Sequence, residues 1–241
     1  MQISKPVAID LIKLAAPLAF VNFCNIGTFT VAMMVAGSFS VQELAALGFT
    51  LTLIVTTVVF LFMLLSAIIP ITANLKGAGD LPSELPSLLR SALVIASILS
   101  IIAVIALTIL EALLPLISTS EEISSLVKQY LRIAIWCVPL DLFACVIINI
   151  SNGAGRTFWP AAVSAGAFIT MVLVTWLIAL GNAGFVAMGP AGIAYSLLFA
   201  VLTKFVLSIL LLLQADFRSL KFTSLTGSVE VPHLRRIFSV G

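Results

Sequence analysis

Two ionisable residues lie deep inside long apolar stretches of this sequence. Asp141 is near the middle of one stretch, and Lys204 is just past the middle of another. A lone charge at the centre of a bilayer costs about 2.5–3.5 kcal/mol on insertion scales, so such residues are kept where they pair or meet water. An acid and a base at similar depth offset much of that cost. The sequence therefore predicts an intramembrane ion pair between Asp141 and Lys204.

Three interpretations of these two charges stay open from the sequence. The pair faces a polar cavity and takes part in transport, or it is a static pair that holds two helices together. In the third interpretation there is no pair, and each residue faces water separately. A large distance between the two side chains would leave only the third.

A stripe of polar residues runs along the first apolar stretch. Asn22, Asn25 and Thr28 follow at i, i+3 and i+6, which places them near one face of a helix. Lipid satisfies an amide poorly, so we expect this stripe to face the interior of a helix bundle. It either lines a pathway or forms hydrogen bonds between helices, each worth about 1 kcal/mol or less.

Prolines interrupt several of the apolar stretches. A proline inside a helix removes one backbone hydrogen bond and bends the helix. Pro17 and Pro139 lie inside their stretches and are candidate hinges, whereas Pro70 lies near the end of one. In a membrane, the carbonyl that the proline frees must find another partner.

Residues for enzyme or metal chemistry are missing from this sequence. The one histidine, His233, lies near the C-terminal end, and the cysteines Cys24, Cys137 and Cys145 form no CxxC motif. We predict that these cysteines are small buried residues. No phosphate loop, HExxH or GxSxG motif occurs. The sequence predicts no catalytic site, no metal site and no cofactor, and so no enzyme.

Composition places the chain among membrane proteins. Hydrophobic residues make up 61% of it and charged residues 9%, and the net charge of +2 suggests no nucleic acid partner. About 20 apolar residues suffice for a helix to cross a bilayer. We therefore predict an all-α, six-helix transmembrane bundle in residues 1–213, with a tail at 214–241. The predicted spans are Leu11–Gly37, Leu44–Thr72, Leu88–Leu110, Tyr130–Ile150, Pro160–Leu180 and Ala191–Leu213. The predicted connections include Asn74–Ser87 and Ser118–Lys128.

Positively charged residues predict the orientation of this bundle in the membrane. With the N-terminus inside, nine Lys and Arg residues lie on the cytoplasmic side and only Lys128 and Arg132 lie outside. Both termini are therefore predicted to be cytoplasmic, with the chain as a multi-pass protein of the cytoplasmic membrane. Glu43 and Glu111 then fall near the outer ends of spans, where we expect them to be solvated.

Short strings near the span ends recur in a recognisable order. They are Val35-Ala36-Gly37, Glu43-Leu44-Ala45-Ala46-Leu47-Gly48, Lys76-Gly77-Ala78-Gly79-Asp80, Tyr130-Leu131-Arg132-Ile133, Asn152-Gly153-Ala154-Gly155-Arg156-Thr157 and Gly189-Pro190-Ala191-Gly192-Ile193-Ala194. With Pro17 and Pro139, this order and spacing resemble the N-terminal lobe of the multidrug and toxic compound extrusion (MATE) family.

The resemblance implies a transport function. Members of the family have twelve helices in two six-helix lobes and export small organic cations or drugs, driven by H⁺ or Na⁺. The resemblance covers only the first lobe. It therefore implies a second lobe, which comes either from another copy, as a homodimer, or from a separate chain. The residues Leu234–Gly241 resemble the lead-in to a seventh helix. Flippases of the same superfamily share the architecture, so a lipid-linked substrate is an alternative.

Two positions depart from the family pattern. Many bacterial members carry an acid in the first and fifth spans of this lobe, and the matching positions here are Ala32 and Thr175. Asp141 is the deep acid left to replace them, with Lys204 beside it. A transporter with a relocated coupling site is one interpretation. A non-transporting interaction subunit and an inactive truncated product are the others.

Overall fold

The computed structural model describes residues 5–117 and 120–213, and that part of the chain is a bundle of helices without strands. The helices are α1 (Lys5–Phe39), α2 (Val41–Ser66), α3 (Ile68–Ala78), α4 (Leu81–Ile117), α5 (Glu121–Gly153), α6 (Phe158–Val174), a short π-helix (Thr175–Ala179) and α7 (Pro190–Leu213). With α2 and α3 taken together, six segments are long and apolar enough to cross a bilayer, which confirms the predicted bundle. The predicted tail lies outside the described residues, so the boundary at residue 213 stays a prediction.

The helices extend beyond the apolar stretches that predicted them. The predicted connections Asn74–Ser87 and Ser118–Lys128 are wrong for most of their length, because α3 runs to Ala78, α4 begins at Leu81 and α5 begins at Glu121. Hydropathy marks where the chain leaves the apolar layer. It does not mark where the helix ends, since Ser, Glu and Lys remain adequate helix formers in water.

Two of the recognisable strings form helix caps. The Ser40 hydroxyl accepts a hydrogen bond from the backbone N–H of Glu43 at 3.0 Å, which starts α2. Gly79 adopts φ 82° just after α3, and the N–H of Asp80 reaches back to the carbonyl of Leu75 at 3.0 Å. These strings therefore fix where helices begin and end.

Pro70 interrupts the second span. Its ring lacks an N–H and crowds the carbonyl of Ser66, and the helix breaks between α2 and α3 at Ala67. The side-chain amide of Asn149 on α5 donates to the neighbouring carbonyl of Leu65 at 3.0 Å. A backbone group at the break thus gains a partner from another helix, as the bilayer requires.

Helix α5 lies at the centre of the bundle. It packs on α2, α3, α4, α6 and α7 and is the most buried span, whereas α1 is the least buried and packs on α2, α6 and α7. Large apolar side chains cover the outside of the bundle. They include Phe23, Phe60, Ile101, Trp136, Ile169 and Leu210. Such an apolar surface suits contact with lipid.

Glycine allows α5 to approach α3 closely. A Cβ atom added at Gly153 would lie 2.5 Å from the carbonyl oxygen of Ile69 and 2.6 Å from Cβ of Thr72. Small residues at such contacts let helix backbones approach in a membrane, where apolar side chains pack against lipid nearly as well as against protein. The contact also lies next to the break that Asn149 bridges.

We expect Gly153→Ala to lower the free energy of unfolding by about 1–3 kcal/mol, because the new methyl group collides with backbone atoms. The thermal unfolding midpoint of the purified protein in detergent measures this loss. Gly77→Ala is the matched control, since Gly77 lies in α3 and a Cβ there meets nothing within 4 Å. Equal midpoints for the two variants would show that Gly153 does not pack closely against α3.

Candidate functional site

Asp141 and Lys204 form an ion pair between α5 and α7. The Lys204 ammonium donates to Oδ1 of Asp141 at 2.7 Å. The Lys204 and Asp141 side chains are 16% and 26% exposed, so neither is sealed inside the bundle. This contact excludes the interpretation in which the two charges face water separately. The two other interpretations, a role in transport and a static link between the helices, both stay predictions.

The packing of α5 against α7 positions the pair. Two residues beyond Asp141, the ring of Phe143 meets Phe205, which follows Lys204, with ring centroids 6.5 Å apart. On α7 the Ser208 hydroxyl donates to the backbone carbonyl of Lys204 at 2.8 Å. The ion pair and this aromatic contact therefore lie side by side where α5 packs on α7.

The pair belongs to a continuous polar face of α5. We define this α5 polar face by residues at helical spacings of four and seven, namely Tyr130, Cys137, Asp141, Cys145 and Asn149. Asn149 donates to Cys145 Sγ at 3.3 Å as well as to the Leu65 carbonyl. The face thus bonds to α2 near both of its ends and to α7 in its middle.

The cysteines differ in their surroundings. All three are free thiols; Cys24 is buried in α1, while Cys137 and Cys145 are half-buried, each one turn from Asp141. The expectation of small buried residues therefore holds for Cys24 and is incomplete for the other two. Within the residues that the structure describes, no group of three or more His, Cys, Asp or Glu side chains could hold a metal ion.

Two contacts of acids were missed by the sequence reasoning. Glu43 accepts a hydrogen bond from the Tyr130 hydroxyl at 2.8 Å, and Glu111 accepts from Arg132 Nε at 2.8 Å. The expectation that both acids are simply solvated is therefore wrong. The sequence contained a signal for the contact between Arg132 and Glu111. The two residues carry opposite charges at the adjoining ends of two consecutive spans, and antiparallel neighbouring helices bring such residues to the same depth.

The polar stripe of α1 lies differently from what its spacing predicted. Asn22 is exposed on the surface of the bundle, and Asn25 and Thr28 are half-buried. The reason for the exposure of Asn22 is that α1 packs through a different side, where Cys24 is buried and Gly27 lies against Phe168. Thr28 donates to the carbonyl of its own helix at Cys24. A role of Asn22 and Asn25 in lining a pathway stays a prediction.

The positions that lack the family's acids are both buried. Ala32 is 0% exposed in α1, and Thr175 is 2% exposed where the π-helix begins. The candidate hinges Pro17 and Pro139 lie inside helices that continue through them, whereas the break occurs near Pro70. Their role as hinges also stays a prediction.

We expect Lys204→Met and Asp141→Leu each to lower the free energy of unfolding by about 2–4 kcal/mol, somewhat less than for a fully buried pair, because each leaves one largely buried charge alone. The double variant should regain most of this loss, which unfolding in detergent would measure. Arg132→Gln is the control, since its side chain is 73% exposed and surface pairs contribute about 1 kcal/mol at most. Additive losses in the double variant would contradict the pairing.

The chain is similar to proteins named multidrug resistance proteins over somewhat less than half of their length. The multidrug resistance protein NorM of Vibrio parahaemolyticus is 23% identical over 210 residues, which are 85% of this chain and 46% of that protein. NorM of Vibrio cholerae is 23% identical over 188 residues, which are 78% of this chain and 41% of that protein. The chain thus spans less than half the length of these relatives.

Solved structures share the fold. An outward-facing multidrug resistance MATE family transporter of the MOP superfamily superposes with a TM-score of 0.82 at 16% identity, over 95% of this chain and 50% of that one. The Vibrio cholerae MATE transporter VcmN in its bent form gives 0.80 at 17% identity, over 95% and 51%. A family model, MatE, matches residues 17–177, well over half of the sequence. The chain therefore belongs to the MatE family, the multidrug and toxic compound extrusion transporters.

Proposed function

We propose that this chain is one lobe of a secondary transporter that exports small organic cations in exchange for H⁺ or Na⁺. The observation that carries the proposal is the Asp141–Lys204 pair, which is partly exposed in the middle of two spans. Ionisable residues at that depth mark ion and substrate pathways. The names of the relatives, multidrug resistance proteins, support the choice of substrate class.

The pair suits an exchange because one carboxylate balances one positive charge at a time. At rest that charge is the ammonium of Lys204, 2.7 Å away. A proton or Na⁺ at Asp141 would compete with Lys204 and weaken the link between α5 and α7. A cationic substrate would compete for the same negative charge. Ligands that bind two arrangements of the helices with different affinity shift the population between them.

A second lobe is part of the proposal. The chain spans about half of its relatives, and the exposed amide of Asn22 needs water or protein as a partner because lipid offers none. The second lobe comes from another copy, from a separate chain or from adjoining sequence. Two copies around an axis along the membrane normal would reproduce the arrangement of lobes in the family.

We also propose that the protein lies in the cytoplasmic membrane with both termini in the cytoplasm. Support comes from the last turn of α3 and the turn after α5, since Lys76 of the first donates to the Ala154 carbonyl of the second at 2.6 Å. The two turns therefore lie at one end of the bundle and carry Lys76 and Arg156 together. An excess of basic residues is typical of the cytoplasmic side.

We expect Asp141→Asn to abolish efflux of ethidium, an organic cation, in cells that lack other exporters. The amide cannot bind a proton or balance Lys204 as a carboxylate does. Efflux is measured as the loss of ethidium fluorescence, at several external pH values and with or without Na⁺, which distinguishes H⁺ from Na⁺. Glu122→Gln is the matched control, because Glu122 is an exposed carboxylate in the first turn of α5.

Expression of the chain alone, together with the size of the purified protein in mild detergent, tests the second lobe. A dimer that transports would support assembly from two copies. A monomer without efflux, whose Asp141→Asn variant behaves identically, would contradict the transport proposal and favour a non-transporting membrane subunit.

A further inference from the structure

Two small cavities lie between α2, α5 and α7, on the side of the pair towards Glu43. The outer cavity is lined by Glu43, Tyr130 and Pro190, and the inner one by Thr50, Tyr130 and Cys137. Each has room for a water molecule. They share Tyr130 of α5 and Ala194 of α7 as walls, so together they form one interrupted cleft, which we call the α2–α5–α7 cleft.

Tyr130 closes the cleft between its two cavities. The residue is 4% exposed, and its hydroxyl is held by the carboxylate of Glu43 at 2.8 Å. That carboxylate is the one acidic side chain of Asp or Glu type among the residues that line either cavity, and no Lys, Arg or His lines them. A negative charge at the mouth of a narrow, low-dielectric cleft attracts cations and repels anions.

The cleft leads towards the ion pair. Cys137 lines its inner cavity, and Asp141 lies one helical turn further along the same face of α5. On the opposite wall, Leu197 lines the cavity, and Lys204 lies two turns further along the same face of α7. Neither charged residue lines either cavity; Asp141 lies one turn and Lys204 two turns beyond the inner end of the cleft.

The chemistry of the walls defines what the cleft can carry. Apart from Glu43, Gln129, Thr50, Tyr130 and Cys137, the lining side chains are apolar, which allows water to pass without binding it tightly. Beyond the inner cavity the ammonium of Lys204 opposes the passage of any further cation. The cleft therefore suits a route that ends at Asp141 and does not continue across the membrane.

We propose that the α2–α5–α7 cleft is a cation-selective water path from the Glu43 end of the bundle to the Asp141–Lys204 pair, with Tyr130 as its gate. The proposal rests on the proposed function, since it gives the coupling ion a route to its site. It assigns Glu43 as the selectivity residue and Tyr130 as a positioning residue that opens and closes the route.

The native thiol of Cys137 provides a direct test that needs no transport. In a Cys24→Ala, Cys145→Ala protein in intact cells, Cys137 is exposed to cationic, anionic or neutral methanethiosulfonate reagents added outside. Mass spectrometry of the purified protein measures the extent of modification. We expect the trimethylammonium reagent, which enters when the path opens at Tyr130, to react about tenfold or more faster than the sulfonate reagent, because Glu43 attracts cations.

Two variants test the assigned residues. Glu43→Gln should remove the preference for the cationic reagent while leaving the rate with the neutral reagent nearly unchanged. Tyr130→Phe removes only the hydroxyl that Glu43 holds, and should raise the rates with all three reagents. Equal unfolding midpoints for the variants and the parent protein would show that changed rates come from the path and not from loss of the fold.

The other cysteines provide matched controls. A protein that keeps only Cys24, which is 2% exposed in α1, should stay unmodified. A protein that keeps only Cys145, which lies beyond Asp141, should react more slowly than the Cys137 protein. The proposal is overturned if Cys137 resists all reagents in folded protein, or if the cationic and anionic reagents react equally fast.

The two proposals fail in different ways. Absence of ethidium efflux with normal modification of Cys137 would contradict the transport function and leave the water path standing. Normal efflux that depends on Asp141, with Cys137 modified only from the cytoplasmic side in inside-out vesicles, would overturn the path and leave the transport function standing.

Discussion

In the apolar interior of a bilayer, a polar group outside the helical hydrogen-bond pattern must find its partner within the protein. In this bundle α5 meets that constraint for its neighbours. It provides Asp141 for the charge of Lys204, Tyr130 for Glu43, and Asn149 for the carbonyl of Leu65 at the break in the second span. Helix α5 can supply all three partners because it packs on both α2 and α7.

The same constraint separates contacts that can be switched from contacts that cannot. Apolar helices gain little by leaving lipid for each other, so close packing of small residues and polar links decide how they sit. The contact of Gly153 with Ile69 depends on shape, and no change of charge alters it. The links of Asp141 and Glu43 depend on a charge. Only these charge-dependent links are sensitive to a proton or a cation. One lies in the middle of the bundle and the other at its Glu43 end.

Much of this fold could be predicted from the sequence because the bilayer demands long apolar helices. The six spans, and the contact between Asp141 and Lys204, both follow from that demand, since two opposite charges at one depth are costly apart. Exposure of Asn22 could not be predicted in this way. Its spacing with Asn25 defines a face of α1, but which face packs on α6 depends on residues of both helices, such as Gly27 and Phe168.

The sequence by itself determined the class of the molecule, the number of its spans and the depth of its charges, because each follows from hydropathy and spacing along one chain. The tertiary structure decided the hydrogen-bond partners. Tyr130 donates to Glu43, Arg132 donates to Glu111, and Asn149 donates to the backbone carbonyl of Leu65. It also decided that two small cavities lie between α2, α5 and α7, from Glu43 to Cys137. The physical reason is that partners and clefts depend on the rotation and offset of one helix against another. Side chains on several helices set these jointly, and no local pattern records them.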